Sequence, residues 1–224
     1  MQIFVDSANL KDIEDSLKRG FASGVTTNPS ILAKEPKTEF PLLIRSIIDL
    51  LKDYKSTIPL SVEVFTTEPQ AMIRQAEEFV DSFGDYPNLN IKVPIGWDEL
   101  EVIATLRKRD IRVNCTCIMS YNQAMMAANA GANYVSLFWG RIRDVGYDAG
   151  VVVREVHETL SKWNNPSQII VGSIRHIMDV NQAMQSGADI VTIPAQFLPK
   201  LCVHPKTDEA VNQFITDFQG WVEK

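Results

Sequence analysis

Short apolar segments alternate with longer segments of helical spacing along the whole chain. Each apolar segment is rich in Val, Ile or Thr, which is typical of a strand buried on both faces. Each is followed by a stretch in which apolar residues recur every three or four positions, which indicates a helix. The predicted strands are Ile3–Asp6, Gly24–Asn28, Leu60–Phe65, Asn90–Val93, Arg112–Cys117, Tyr134–Phe138, Ile169–Ser173 and Ile190–Ile193. The predicted helices are Leu10–Arg19, Pro41–Tyr54, Pro69–Phe83, Trp97–Arg109, Tyr121–Ala130, Gly150–Lys162, Met178–Ser186 and Thr207–Val222.

Two similar segments mark the return from helix to strand. Ala130–Val135 reads AGANYV and Ser186–Val191 reads SGADIV. In both, glycine ends a helix and a short turn leads into a strand, as an αβ unit requires. Eight βα units without a break in composition predict an α/β fold, a single-domain (β/α)8 TIM barrel over residues 1–224. The alternative is an open doubly wound sheet, but no Gly-x-Gly-x-x-Gly follows the first strand.

Composition narrows the class of partner. The chain has 224 residues, 45% hydrophobic and 22% charged, which suits one sizeable core. Its net charge of -6 argues against nucleic acid and anionic membranes as partners, since both need clustered positive charge. The net charge does not exclude small anionic substrates, because a few arginines can make a binding site locally positive on an acidic protein.

The expected location is the cytoplasm. An odd number of cysteines, Cys115, Cys117 and Cys202, gives no disulfide framework and favours a reducing compartment. The opening MQIFVDSANL has no basic region before an apolar run, so we expect no signal peptide. No segment approaches the length of a continuous apolar membrane span.

No metal site or cofactor is predicted. The pair Cys115-Thr-Cys117 has the wrong spacing for zinc, and no histidine lies near it in sequence. Alternation with Asn114 and Thr116 predicts that both cysteines face outward, under the covering helices.

Polar residues occupy the carboxyl ends of nearly all the predicted strands. A barrel places its active site at these ends, and a purely structural interior would be almost entirely apolar there. The polar residues are Asp6, Thr26, Asn28, Glu63, Lys92, Asn114, Thr116, Ser136, Ser173, Arg175 and Thr192, and the apolar Phe138 ends the sixth strand.

Lys92 is the most informative of them. It lies in Asn-Ile-Lys-Val-Pro, with apolar neighbours on both sides inside a predicted central strand. Burying an ammonium is unfavourable, so a lysine here is either paired or functional. A barrel interior that disfavours the charged form would give an amine able to attack a carbonyl. The structural alternative is a lysine that reaches solvent or pairs with Glu63.

Asp6 and Glu63 are candidate proton-transfer groups. Attack by an amine, loss of water and carbon–carbon cleavage each require protons to be delivered and removed. Alternation places Glu63 on the same face as Ser61 and Phe65. Asp6 has a structural alternative as a cap of the helix that begins near Asn9.

Arg141, Ser173 and Arg175 form a candidate phosphate site. Both arginines lie just past a strand end, where barrels often bind phosphate. A guanidinium fork suits a terminal phosphate, and a hydroxyl with backbone N–H groups would complete the site. Taken singly, each arginine could be an ordinary surface residue.

The ordered set of motifs resembles the transaldolase family, in particular its small subfamily that includes fructose-6-phosphate aldolases. The resemblance covers essentially the whole chain. It rests on Phe4-Val-Asp-Ser-Ala-Asn9, Gly24-Val-Thr-Thr-Asn-Pro-Ser30, Ser61-Val-Glu-Val64, Ile91-Lys-Val-Pro94, Asn114-Cys-Thr116, Phe138-Trp-Gly-Arg141, Gly172-Ser-Ile-Arg175 and His204-Pro-Lys-Thr-Asp208.

The resemblance implies a TIM barrel with cofactor-independent class I aldolase chemistry and no metal. It implies that a three-carbon dihydroxyacetone unit passes from sedoheptulose 7-phosphate or fructose 6-phosphate to glyceraldehyde 3-phosphate or erythrose 4-phosphate. The roles that it implies are Schiff-base formation for Lys92, acid/base catalysis for Asp6, water binding for Glu63 and Thr116, binding of the dihydroxyacetone portion for Asn28, Asn114 and Ser136, and phosphate binding for Arg141, Ser173 and Arg175. Thr26 and Phe138 are expected to line the same site.

Two positions bear on transaldolase against aldolase activity, and two depart from the family. The aldolases of the subfamily typically carry tyrosine at the position of Phe138 and glutamine at that of Glu63, so the resemblance favours a transaldolase. Family members commonly read Ser-Pro-Phe-Val-Gly-Arg at Ser136–Arg141. Leu137 and Trp139 are therefore departures, expected to point away from the barrel axis and to alter helix packing.

The resemblance also implies a ring-like homo-oligomer, a pentamer or decamer, with the C-terminal helix reaching a neighbouring subunit. Apolar residues at helical spacing within 207–222 agree with this role, although the helix could instead pack on its own barrel. Alternative functions are a catalytically silent barrel that binds sugar phosphates, and a decarboxylase or isomerase on a phosphate-binding barrel.

Overall fold

Eight parallel strands close into a barrel in the computed structural model, which describes residues 2–223. Each strand pairs with its neighbours in sequence, and the first pairs with the last. The strands are β1 (Gln2–Asp6), β2 (Ala22–Thr26), β3 (Leu60–Glu63), β4 (Leu89–Pro94), β5 (Val113–Ile118), β6 (Tyr134–Phe138), β7 (Gln168–Gly172) and β8 (Ile190–Pro194). The predicted α/β class and (β/α)8 barrel are confirmed.

Helices follow the strands and cover the outside of the barrel. They are α1 (Leu10–Lys18), α2 (Pro29–Leu32), α3 (Phe40–Asp53), α4 (Pro69–Phe83), α5 (Glu99–Lys108), α6 (Tyr121–Asn129), α7 (Trp139–Asp144), α8 (Ala149–Lys162), α9 (Ile177–Gln185) and α10 (Pro205–Val222). Two short 3-10 helices, Ala195–Phe197 and Pro199–Cys202, lie between β8 and α10. Within residues 2–223, no helix is both long and apolar enough to cross a membrane.

The apolar core has two parts. The larger part lies between the strands and the helices. The smaller part fills the barrel interior with Phe4, Tyr134, Ile170 and Ile190, and the rings of Phe4 and Tyr134 meet edge to face at 6.3 Å. Gly24 leaves room for this packing, because a Cβ there would lie 2.5 Å from the Phe4 ring. The polar strand ends stand above this plug.

The register of the strands brings the predicted residues side by side. Asp6 pairs with Thr26 across β1 and β2. Lys92 pairs with Glu63 on one side and with Asn114 on the other. Residues paired in register point to the same face of a sheet, so these side chains converge inside one end of the barrel.

The structure differs from the sequence prediction mainly in the segments that connect a strand to the helix after it. α2 and α7 have four and six residues, too short to show a helical period, and were not predicted. The predicted placement of Phe65 with Glu63 is wrong. β3 ends at Glu63, and Phe65 lies 54% exposed with its ring 5.2 Å from that of Phe40.

Helix ends were predicted more closely. Gly131 and Gly187 both have positive φ, 96° and 98°, as the predicted helix-ending turns require.

α10 is exposed along its whole length, including Phe214, Phe218 and Trp221. It therefore gains little stabilisation from the barrel.

Candidate active site

A cavity of about 330 Å³ opens at the carboxyl ends of the strands. All the predicted site residues except Arg175 line it. The wall is formed by Asp6, Thr26, Asn28, Pro29, Ser30, Glu63, Lys92, Asn114, Thr116, Cys117, Ser136, Phe138, Arg141, Ile170, Gly172, Ser173 and Thr192. Residues from every strand of the barrel, or from the segment that follows it, therefore meet at one cavity.

Lys92 is buried in the wall of this cavity, with only 4% of its surface exposed. Its Nζ atom lies 2.8 Å from Glu63 Oε2 and donates a hydrogen bond of 2.8 Å to the carbonyl oxygen of Thr27. The pair predicted as the structural alternative is thus present. It does not exclude chemistry, because a carboxylate in contact with an ammonium is also placed to accept its proton.

Asp6 is hydrogen-bonded to the first of two linked threonine hydroxyl groups, which we call the hydroxyl chain. Thr26 Oγ1 donates to Asp6 Oδ1 at 2.7 Å and lies 2.5 Å from Thr192 Oγ1. Because Thr26 has one hydroxyl hydrogen, Thr192 must be the donor in the second bond. Burial raises the pKa of Asp6 above the usual range of a carboxyl group, opposed by the charge of Lys92 and the hydrogen bond from Thr26. Asn9, not Asp6, caps α1.

Amide and hydroxyl groups surround the lysine on its other side. Asn114 accepts a hydrogen bond of 2.6 Å from Ser136 Oγ and donates one of 3.2 Å to Ser61 Oγ. The Thr116 hydroxyl is buried and has no hydrogen-bond partner among the described residues 2–223. A buried polar atom left in this way can accept or donate a bond to a ligand or water in the cavity.

Cys117 lies in the cavity wall, so its predicted outward orientation is wrong, whereas Cys115 is buried in the outer core as predicted. The pairing of β5 with β6 shifts register between Cys115 and Ile118, and Cys117 has φ of 60°. This bulge breaks the alternation on which the prediction depended. Burial and the charge of Glu63 raise the pKa of the Cys117 thiol, which favours its protonated form.

The candidate phosphate site lies at the edge of the cavity, where α7 meets the segment after β7. Arg141 and Ser173 line the cavity, and Ser173 has φ of 57°. The Arg175 guanidinium lies outside the cavity wall and forms a two-pronged ion pair with Asp144. This bond holds the pKa of Asp144 below the usual range of a carboxyl group. The structure thus brings Arg141 and Ser173 to the site and places Arg175 beside it.

Thr192 and Cys117 lie in the cavity wall, although the sequence predicted no role for either of them. Thr192 stood among the polar strand ends, and that position was the available signal. Cys117 could not be found by alternation, because a bulge leaves no clear mark in a single sequence. Asn28, predicted as a strand residue, is the N-cap of α2 and accepts a hydrogen bond of 2.9 Å from the Ile31 amide.

No group of three or more His, Cys, Asp or Glu side chains within residues 2–223 is arranged to hold a metal ion. The functional groups around the cavity are instead one amine, one guanidinium, two carboxylates, one thiol and several hydroxyl and amide groups. This set suits the binding of a polyhydroxylated carbonyl compound and the transfer of protons to it.

Comparisons with known proteins agree with this geometry. The model of the family described as Transaldolase/Fructose-6-phosphate aldolase matches residues 3–223. A protein of Heliobacterium modesticaldum named "Probable transaldolase" is 39% identical over 224 residues, 100% of both chains. One of Carboxydothermus hydrogenoformans with the same name is 37% identical over 220 residues, 98% of this chain and 99% of the relative.

A solved structure of a mutant mandelate oxidase with a monooxide FMN adduct resembles this chain with a TM-score of 0.59. The identity is 13%, and the match covers 87% of this chain and 64% of the oxidase chain, so the likeness shows the fold alone. The family model matches nearly the whole chain. The two relatives align with this chain over almost the full length of both proteins. The chain therefore belongs to the transaldolase/fructose-6-phosphate aldolase family.

Proposed function

We propose that this chain is a transaldolase that transfers a dihydroxyacetone unit between sugar phosphates through a Schiff base on Lys92. The donor is sedoheptulose 7-phosphate or fructose 6-phosphate, and the acceptor is glyceraldehyde 3-phosphate or erythrose 4-phosphate. The observation that carries the proposal is a buried lysine with its Nζ atom 2.8 Å from the Glu63 carboxylate, in one cavity with Asp6. The names of the relatives support the same reaction.

The first step forms the Schiff base. Glu63 accepts a proton from the Lys92 ammonium, and the amine attacks the C2 carbonyl of the ketose phosphate. The tetrahedral carbinolamine loses its hydroxyl group as water once that group is protonated, which leaves a protonated imine on Lys92. A water molecule held by Glu63 and the Thr116 hydroxyl would carry these protons, and the unpartnered Thr116 oxygen supports this role.

The second step breaks the carbon–carbon bond. Asp6 removes the proton from the C4 hydroxyl group, the bond between C3 and C4 breaks, and its electron pair moves into the protonated imine. The aldose phosphate leaves and a three-carbon enamine remains on Lys92. The reverse sequence with a second aldose phosphate completes the transfer, and Asp6 returns its proton to the new hydroxyl group. A raised pKa suits Asp6 to both directions, because it can hold the proton between them.

The remaining cavity residues bind the substrate. Asn28, Asn114 and Ser136 contact the hydroxyl groups of the dihydroxyacetone portion, while Thr26 orients Asp6. Arg141 and Ser173 bind the phosphate. Arg175 contributes its charge from beside the site, and contacts the phosphate directly only if its fork exchanges Asp144 for the ligand.

Phe138 and Glu63 favour transfer over release. Phe138 lines the cavity but has no hydroxyl group to place water or donate a proton to the enamine. The enamine then waits for an acceptor aldehyde, and free dihydroxyacetone is a minor product. Fructose-6-phosphate aldolase activity is the alternative within the same family and the same site.

Reductive trapping tests the proposal. The protein is incubated with fructose 6-phosphate and borohydride, with and without glyceraldehyde 3-phosphate, and its peptides are analysed by mass spectrometry. A three-carbon adduct on Lys92, with sugar turnover only when acceptor is present, is the expected result. Steady release of dihydroxyacetone without acceptor would assign the aldolase activity. No adduct from any ketose phosphate would refute the Schiff-base mechanism and leave a sugar-phosphate-binding barrel.

The same proposal includes a cytoplasmic homo-oligomer, a pentamer or decamer. Three free thiols support a reducing compartment. The exposed apolar residues of α10, among them Phe214 and Phe218, support a contact with another subunit. Light scattering should give the mass of an oligomer, and the double variant Phe214→Asp and Phe218→Asp should reduce it. An unchanged mass would exclude α10 from the interface.

A further inference from the structure

Asp179 is the most thoroughly buried carboxylate outside the cavity wall. It lies in the first turn of α9, with 1% of its surface exposed. A charged group at such a place is normally found only when it is fully paired. Its bonds therefore indicate what it holds together.

Four donors from two separate parts of the chain meet on this carboxylate. Trp139 Nε1 and an Arg143 guanidinium nitrogen donate to Oδ1 at 3.2 and 2.6 Å. The backbone N–H groups of Arg175 and His176 donate to Oδ2 at 3.0 and 2.9 Å. One oxygen is thus bonded to α7 and the other to the segment that follows β7.

These two parts of the chain carry the candidate phosphate ligands. Arg141 belongs to α7, and Ser173 begins the segment after β7. Between them, Gly140 N–H donates to the Ser173 carbonyl at 3.0 Å, and a Cβ at Gly140 would lie 2.5 Å from that oxygen. The contact is close enough that a small displacement of either part would change the distance between Arg141 and Ser173.

Ser173 also has a backbone conformation that must be held from outside. Its φ of 57° lies in the left-handed region, which is unfavourable for a residue other than glycine. Such a conformation persists only when the surrounding structure enforces it. The N–H groups of Arg175 and His176, two and three residues after Ser173, donate to Asp179, and these bonds supply the constraint.

We propose that Asp179 is the positioning residue of the phosphate site, which joins α7 to the segment after β7 and so holds Arg141 and Ser173 at the spacing that a phosphate requires. Asp179 touches no substrate, and its charge is balanced by Arg143. Trp139 adds an N–H donor from α7 to the same carboxylate and so strengthens this link. The inference rests on the phosphate site of the proposed function.

The test compares Asp179→Asn with the control Asp189→Asn. Asp189 also accepts a backbone N–H bond, at 2.8 Å from Ile169, but at the opposite end of the same strands. Asparagine keeps the shape of Asp179 but turns an amide N–H₂ group toward N–H donors. We expect the Kd for inorganic phosphate and the KM for fructose 6-phosphate to rise about tenfold, with kcat changed less than about threefold. The control variant should match the unchanged protein in both constants.

The rate at which borohydride traps dihydroxyacetone on Lys92 separates positioning from general damage, because this ligand has no phosphate. It should be unchanged in Asp179→Asn. An equal loss of trapping and of phosphate binding would show a merely structural role and overturn the inference. So would unchanged phosphate binding.

If Asp179→Asn does not fold, Trp139→Phe takes its place, since it removes one donor and keeps an aromatic ring. Phosphate binding about two- to threefold weaker, with trapping unchanged, is then expected, and an unchanged Kd overturns the inference. Failure of the unchanged protein to bind phosphate overturns this inference and the proposed phosphate site together. Phosphate binding without any adduct on Lys92 overturns the proposed function alone.

Discussion

Replacing Lys92 by methionine separates the chemical role of the lysine from its effect on stability. Methionine has a similar length and no charge, so most of the packing in the barrel is kept. The variant cannot form an imine, and we expect no adduct after borohydride treatment with any ketose phosphate. The stability of the variant is the more informative quantity, because the size of the expected loss can be worked out from the structure.

Lys92 and Glu63 form a buried ion pair, with side chains 5% and 14% exposed and 2.8 Å between Nζ and Oε2. Removing one partner of such a pair leaves the other charge uncompensated and destabilises a protein by about 3–5 kcal/mol. Glu63 borders the cavity, where water and protons can reach it. We therefore expect about 3 kcal/mol for Lys92→Met, or a fall in Tm of about 6–12 °C for a chain of this size.

The double variant Lys92→Met with Glu63→Gln removes both charges. Replacing a whole buried pair by neutral groups often leaves stability unchanged or raises it. The free energy of unfolding of the double variant should therefore be within about 1 kcal/mol of that of the unchanged protein, or higher. Denaturant unfolding of the two single variants and the double variant gives the coupling between the sites. Lys206→Met is the control, since Lys206 pairs with Glu209 on the surface and should change stability by less than about 0.5 kcal/mol.

The result that would refute this reasoning is a double variant as unstable as Lys92→Met. A coupling below about 0.5 kcal/mol would mean that the ion pair does not set the stability of the barrel interior. With the expected coupling and a double variant as stable as the unchanged protein, the ion pair contributes no more than about 1 kcal/mol to stability relative to neutral residues. A buried ion pair that adds little to stability is consistent with a chemical role for Lys92 and Glu63.

Three further changes test the other parts of the site. Asp6→Asn should still give the adduct on Lys92 by mass spectrometry but turn over ketose phosphate about 10²- to 10⁴-fold more slowly, because cleavage loses its base; unchanged turnover would exclude Asp6 from catalysis. Thr26→Val removes the hydrogen bond that favours ionised Asp6, so the pKa of Asp6 should rise and the acid limb of the kcat/KM pH profile should move to higher pH; a shift to lower pH would contradict the hydroxyl chain. Asp144→Asn frees Arg175 and removes a negative charge beside the phosphate site, so KM for fructose 6-phosphate should fall severalfold at low salt and less at high salt; a higher KM would show that the ion pair assists binding.

The fold and the reacting end of the site could be predicted because both follow from the period of two along buried strands. Lys92 and Asn114 stood out as polar residues in apolar strands, and the closed barrel places them in register. The same logic failed where the strand was irregular. Cys117 lies in a bulge, and Phe65 lies beyond the end of β3, so neither obeys the alternation.

The surroundings of the phosphate site could not be predicted, for a different reason. Asp144, the partner of Arg175, and the two α7 donors to Asp179 lie more than thirty residues away from them in sequence, and only the tertiary structure brings them together. Nothing in the local pattern distinguishes Asp179 from the ordinary acidic residue of a first helical turn. Its burial, and the four bonds that satisfy it, appear only in three dimensions.

The two ends of the cavity are thus supported in different ways. Lys92, Glu63 and Asn114 sit on adjacent strands of a closed barrel, where a change in one position disturbs the register of its neighbours. Arg141 and Ser173 sit on a short helix and a loop, which are joined by the bonds that Asp179 accepts and by the Gly140 N–H bond to the Ser173 carbonyl. A substitution at Trp139 can therefore strengthen or weaken the contact between these two segments without moving Lys92. Differences within the family at this end should therefore alter the affinity for the phosphate, while the rate of imine formation is set by the strands.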